Sequence, residues 1–245
     1  MIVNYPRMRR RAAWPNDLDT ALQFASPNSF SISAPKNWDG KLEYTNGSGW
    51  NTWDGSAITS GKNGSNHCIY LRGTGNSKIT GVSSSSAEWS IVGTNIACNG
   101  DIDLLLDYST VKNGNRPSMA DYCYYSMFYG CTSLTTAPSL PATTLARSCY
   151  YYMFRGCTSL TTVPSLPATT LADYCYYNMF YGCKKIKLST TVSGTYTKSY
   201  RIPKSGTGTT ASSALNNMFS NTGGTFKGTP EINTTYYLDE SNTIV

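Results

Sequence analysis

Eight cysteines, a single histidine and a short run of aspartates are the side chains whose types could support covalent, acid–base or metal chemistry. Their spacing argues against each in turn. Cys123, Cys131, Cys149, Cys157, Cys175 and Cys183 recur at intervals of eight and eighteen, and none forms a C-x-x-C pair. A 26-residue period sets equivalent thiols in a row and not around a tetrahedron, so they are expected, with Cys68 and Cys98, as buried free thiols. His67 adjoins Cys68 in a Gly/Asn-rich stretch, whereas a catalytic Cys–His pair needs its members brought together from opposing elements. Asp101, Asp103 and Asp107 miss the calcium-loop spacing and lie in a Leu-rich run. No pair of acids can be placed together for glycoside hydrolysis. No catalytic residue, cofactor or metal is expected, and the chain reads as non-enzymatic.

The bulk composition points the same way. Of 245 residues only 14% are charged and 40% are hydrophobic, while hydroxyl, amide and phenol groups abound. The formal charge of +6 is concentrated at Arg7, Arg9, Arg10 and Arg11, so no basic stripe for nucleic acid is expected on the folded body. No apolar run is long enough to span a membrane. Residues 1–14 carry positive charge with no apolar stretch behind it, which is read against a secretory signal peptide. A virion or extracellular surface is the location expected.

The elements that must position any site divide into five stretches. Residues 1–19 form a basic leader and residues 20–87 a small all-β domain. Within the latter, Leu22, Phe24, Phe30 and Ile32 alternate, Asn46-Gly47-Ser48-Gly49 signals a hairpin, and residues 68–71 and 78–82 supply further strands. Residues 88–118 form a bridge, with 102–108 either a strand or one helical turn. Residues 119–188 repeat. Residues 123–145 read CYYSMFYGCTSLTTAPSLPATTL, residues 149–171 read CYYYMFRGCTSLTTVPSLPATTL, and 175–186 open a third copy. Residues 189–245 hold a hairpin over 187–202, a degenerate copy at 214–222 (ALNNMFSNT) and a cap. Within one unit Leu145, Cys149 and Met153 are spaced by four, which predicts a short helix capped by Thr143 or Thr144 and ended at Gly156. A strand of a few residues around Thr161 follows, bounded by Pro164.

The run F-x-G-C-T-S-L-T-x-x-P, at residues 128–138 and again at 154–164, resembles the BspA-like bacterial leucine-rich repeats. The longer form, with L-P-A-T-T-L-A-x-x-C-Y-Y, resembles proteins encoded by gut bacteria and their phages. The resemblance implies an α/β fold: a short leucine-rich-repeat solenoid with capping segments, preceded by a small all-β domain. It implies a binding or structural role, as a phage virion or tail component presenting a repeat surface, or else as a cell-surface adhesin or glycan-binding module.

The candidate binding surface is aromatic. Tyr124, Tyr150 and Tyr176 fill one slot of the repeat and Tyr125, Tyr151 and Tyr177 the next, giving two expected rows. Arg155 replaces Tyr129 and Tyr181 in the middle copy, which marks an exposed slot. Trp50 and Trp53, near Trp38, form either a second platform or the core of the β domain. The partners expected are another protein or a surface glycan, with self-association or particle assembly through the N-terminal region; no nucleic acid is expected.

Overall fold

The computed structural model describes residues 13–83, 87–202, 211 and 213–245. The arginines at 7, 9, 10 and 11, and the assembly role expected of their segment, lie outside the described residues. In chain order the strands are β1 (Leu22–Ser26), β2 (Ser31–Ser33), β3 (Lys41–Thr45), β4 (Asn51–Thr52), β5 (Ile58–Thr59), β6 (Gly61–Asn63), β7 (Asn66–Thr74), β8 (Ser90–Val92) and β9 (Ile96–Asn99). The α-helix α1 (Leu104–Lys112) comes next, broken at Asp107. Beyond it lie β10 (Leu134–Thr136), β11 (Thr162–Val163), β12 (Leu188–Ser189), β13 (Tyr196–Ile202), β14 (Thr234–Asp239) and β15 (Thr243–Ile244).

The main sheet has the order β10-β9-β1-β7-β3-β4, with β6 also on β7. Alternation sets its faces. Leu22 and Phe24 of β1 and Ile69 and Leu71 of β7 turn to one side and are fully buried. Ala25, Cys68 and Tyr70 turn to the other, beneath Trp14, Leu18 and Trp50. The Asn-Gly turn joins β3 to β4 in register, Glu43 opposite Thr52. Gly73 is required where α1 lies on β7, because a Cβ there would fall 1.6 Å from the Leu105 carbonyl oxygen.

The leucine-rich-repeat solenoid expected from the resemblance does not form. The fold is a mixed α/β domain with one α-helix among the described residues, outside the repeats, and open sheets that do not curl round a common axis. The strands of successive copies do not make one parallel sheet. β10 pairs with β9, while β11 pairs with β15 at the C-terminal end. The β segment is not walled off from the repeats either. One continuous core runs from Leu22 through Phe128 to Leu238, with the Phe24 and Phe128 rings 6.2 Å apart. A virion or adhesin module that presents a repeat surface is therefore overturned as well.

The expected helix fails for a reason visible in the dihedrals. Every fourth residue has positive φ: Tyr122 (61°), Ser126 (51°) and Gly130 (69°), then Ser148, Tyr152 and Gly156, then Tyr174, Asn178 and Gly182. A right-handed helix needs φ near −63° throughout, so the segment is a ribbon of turns. Its N–H groups alternate in their partners. Tyr125 and Met127 donate three residues back, to the carbonyls of Tyr122 and Tyr124. Tyr124, Ser126 and Phe128 instead donate across to the carbonyls of Cys149, Tyr151 and Met153 in the next copy. The strain of non-glycine residues at positive φ is offset by the backbone hydrogen bonds that the ladder makes between copies.

The same ladder continues beyond the third copy. Tyr176 donates to the Ala214 carbonyl, where earlier copies use Cys149 and Cys175. At the other end the N–H groups of Ile79 and Trp89 donate to the carbonyls of Cys123 and Met127, so residues 78–82 cover the first copy and do not form the expected strand. The expected hairpin over 187–202 is also corrected: β12 and β13 do not pair with each other but flank β14. Buried Asn242 pins that end, donating to the carbonyls of Thr161 and Lys185, both at 2.9 Å.

Candidate functional site

Three columns of rings run across the copies, and burial decides which can meet a partner. Tyr124, Tyr150 and Tyr176 stack nearly parallel, with centroids 5.6 and 5.8 Å apart, inside the core. Phe128, Phe154, Phe180 and Phe219 form the second buried column, at 5.5, 5.5 and 5.4 Å. Only the third reaches solvent. Tyr125, Tyr151 and Tyr177 are half-buried and stacked at 5.1 and 4.7 Å. Of the two tyrosine rows read from the sequence, the first is thus core and offers no surface.

The turn ribbon explains this sorting. Residues four apart share a side of the ribbon, so Cys123 and Met127 lie inward; the following residue, Tyr124 or Phe128, is inward too, and Tyr125 and Tyr129 point out. Arg155 lies on the outer side among rings, 4.7 Å from the centroids of both Tyr152 and Tyr181 and 5.7 Å from that of Tyr129. Tyr152 packs 4.2 Å from Tyr151. Arg147 stands at the near end, 5.9 and 6.0 Å from the rings of Tyr122 and Tyr174. The sequence reading missed Tyr152 and Arg147. The signal that marked Arg155 was available for both: the middle copy departs from its neighbours, with Arg147 against Asp121 and Asp173, and Tyr152 against Ser126 and Asn178.

Trp50 and Trp53 do not form a platform. Trp53 is buried, stacked on Trp38 at 5.3 Å and edge-on to Trp89 at 5.1 Å. Trp50 donates to Asp17 at 2.9 Å and is covered by the Arg72 guanidinium, 3.9 Å from its ring. Arg72 in turn pairs with Asp17 and Glu43.

The cysteines are packed into the core. All eight thiols are free and buried. Burial pushes the repeat thiols up, Cys131 and Cys175 to about 12, which removes the thiolate a nucleophile needs. Their role is structural: Cys157 and Cys183 donate S–H to the carbonyls of Phe128 and Phe154 in the preceding copies, both at 3.0 Å. His67 and Cys68 are neighbours on β7 and so face opposite sides of the sheet. Among the described residues no three His, Cys, Asp or Glu side chains are grouped to hold a metal. Asp101 and Asp103 face Arg116 instead.

Asp103 is the most perturbed carboxyl. Desolvation, with Asp101 beside it, raises it to about 6 against the pull of Arg116. The Tyr124 hydroxyl lies 3.2 Å from the Ile102 carbonyl and 3.3 Å from Asp103 Oδ1. A cavity of about 340 Å³ adjoins Arg116, lined by residues 116–119 and 142–146, but Asp103 does not line it. The next ring in the column, Tyr150, has a buried hydroxyl with no hydrogen-bond partner among the described residues. Tyr150→Phe is therefore expected to stabilise the protein, by about 1–2 kcal/mol, because it removes an uncompensated desolvation. Urea unfolding followed by circular dichroism checks this; a variant less stable than wild type would mean that the hydroxyl is paired.

No family model, curated protein or solved structure matches the chain, and the half-exposed tyrosine–arginine face is the candidate site on its geometry.

Proposed function

We propose that the chain is a non-catalytic protein-binding domain that engages its partner through the face formed by Tyr125, Tyr151, Tyr152, Tyr177, Arg147 and Arg155. The observation that carries this reading is the stacked outer row, with two guanidinium groups among its rings and neither in an ion pair among the described residues. Rings that stack on one another lose little further freedom on binding, and Tyr with Arg is the composition of interface hot spots. The buried, protonated thiols and the enclosed Asp103 support a role without catalysis. No described helix is long and apolar enough to cross a membrane.

The test uses peptide ligands selected for binding alone. Peptides enriched from a random library against the whole chain are expected to lose at least about tenfold in affinity toward the Tyr151→Ala/Tyr177→Ala variant, the size of effect expected of two hot-spot aromatics. Circular dichroism would confirm that the variant is folded. Peptides that bind it as tightly as wild type would move the binding surface elsewhere.

A further inference from the structure

One ring is missing from the tyrosine face, and its absence makes a socket. Tyr122 and Tyr174 occupy the same slot in the first and third copies, each 5.9 Å from the tyrosine three residues on, Tyr122 edge-on to Tyr125 and Tyr174 tilted against Tyr177. The middle copy has Ser148 there, buried, with φ of 54° against 61° and 56° for the two tyrosines. The backbone is thus set to carry a ring that the sequence omits. In its place is a cleft of about 210 Å³ between Tyr122 and Tyr174, with Tyr125 and Tyr151 as walls and Ser148 at its floor. Val82, 67% exposed, adds an apolar edge.

Tyr122 and Tyr174 are two steps of the ladder apart. The outer row spaces its rings 5.1 and 4.7 Å apart, so one further ring between them would have stacking partners on both sides. Arg147 also lines the cleft, its guanidinium 5.9 and 6.0 Å from the two rings and so between them; it must swing outward to admit a ring, which leaves it at the rim of the cleft. Its guanidinium has no carboxylate partner among the described residues; the carboxylate of Asp121 accepts from the Arg147 backbone N–H instead, at 3.1 Å.

We propose that this cleft is the socket for one aromatic side chain of a partner protein, and that an acidic residue beside that aromatic pairs with Arg147. The proposal rests on the protein-binding reading above. It specifies the ligand: an acidic–aromatic peptide segment, its ring seated between Tyr122 and Tyr174.

Calorimetric titration of the full chain with the blocked tripeptides Asp-Trp-Asp, Asp-Leu-Asp and Lys-Trp-Lys tests it. The first is expected to bind about tenfold or more tightly than either of the others, since each of those lacks the ring or the charge. Ser148→Tyr supplies the missing ring at a φ that tyrosine already adopts in both neighbouring copies, so it should fold and abolish binding. Arg147→Asp, the residue type of the neighbouring copies, should weaken Asp-Trp-Asp and spare Lys-Trp-Lys. Equal binding of Asp-Trp-Asp by wild type and Ser148→Tyr would overturn the proposal. So would equal affinity for Asp-Leu-Asp, no binding of any tripeptide, or binding of a methyl glucoside in place of the peptides. Library-selected peptides that need Tyr151 and Tyr177 but ignore Ser148→Tyr would refute the socket and leave the wider face intact.

Discussion

Phe154→Ala is expected to destabilise the protein by about 3–5 kcal/mol, the cost of emptying a fully buried aromatic site. The Phe154 ring is 0% exposed and stacks on both sides, on Phe128 and on Phe180. Removing it leaves a gap inside the column that the ladder prevents from closing, because Phe154 itself donates to Met179 and accepts from Cys157 and the Cys183 thiol. For a chain of this length such a loss lowers the melting temperature by roughly 6–20 °C. The same truncation next door, Arg155→Ala, removes only a half-exposed side chain and should stay within about 1 kcal/mol. Denaturant unfolding of the two variants side by side is the measurement. If both lie within 1 kcal/mol of wild type, the phenylalanine column is not the core.

The contrast between these neighbouring residues shows what could and could not be read in advance. The repeat, its apolar slots and the odd position 155 were legible, because residue type at a fixed period reports burial directly. The local backbone was not. A spacing of four places Leu145, Cys149 and Met153 on one side of an α-helix, but equally on one side of a turn ribbon with a four-residue period. What distinguishes the two is the left-handed residue of each turn. Gly130, Gly156 and Gly182 close each ribbon, and Ser126, Asn178, Asn217 and Asn221 hold further left-handed places. Asn178 with Gly182 and Asn217 with Asn221 carry the signal against a helix; in the first two copies only Gly130 and Gly156 do, because Tyr122, Ser126, Ser148 and Tyr152 hold the other left-handed places.

The error about the first tyrosine row follows from the same cause. A helical wheel turns the residue after Cys123 toward the flank, whereas the ribbon turns Tyr124 into the core and leaves Tyr125 outside. The long-range pairings were illegible for another reason. Strands of two or three residues, such as β11 and β15, carry no periodicity of their own and are fixed by the ladder and by Asn242. In the sequence Asp103 is one of three aspartates in a Leu-rich run; its burial depends on Tyr124 and Arg116, which only the fold brings to it.

That burial makes stability depend on pH in a definite direction. In the unfolded chain Asp103 titrates near 3.8, and in the folded protein near 6. Between those values the folded state holds a proton that the unfolded state has released, so stability falls as pH rises through the window. The group's contribution is complete below about pH 4 and lost above about pH 6, about 3 kcal/mol across the whole span. Asp107 and Asp239, both lowered to about 2 by the hydrogen bonds they accept, act in the opposite sense, but their stabilisation is lost only as pH falls below about 4. Burial accounts for the preference: desolvation, with the Asp101 carboxylate beside it, favours the neutral acid and outweighs Arg116 and the Tyr124 hydroxyl, which both favour the carboxylate. Asp103→Asn keeps a neutral group of the same shape and leaves Asp101 to pair with Arg116. The variant is expected to match wild type near pH 4 and to exceed it at pH 7 by up to about 3 kcal/mol, with its slope over pH 4–6 largely abolished. Urea unfolding at each half pH unit from 4 to 7 measures both slopes, and parallel curves for the two proteins would show that Asp103 does not titrate in this window.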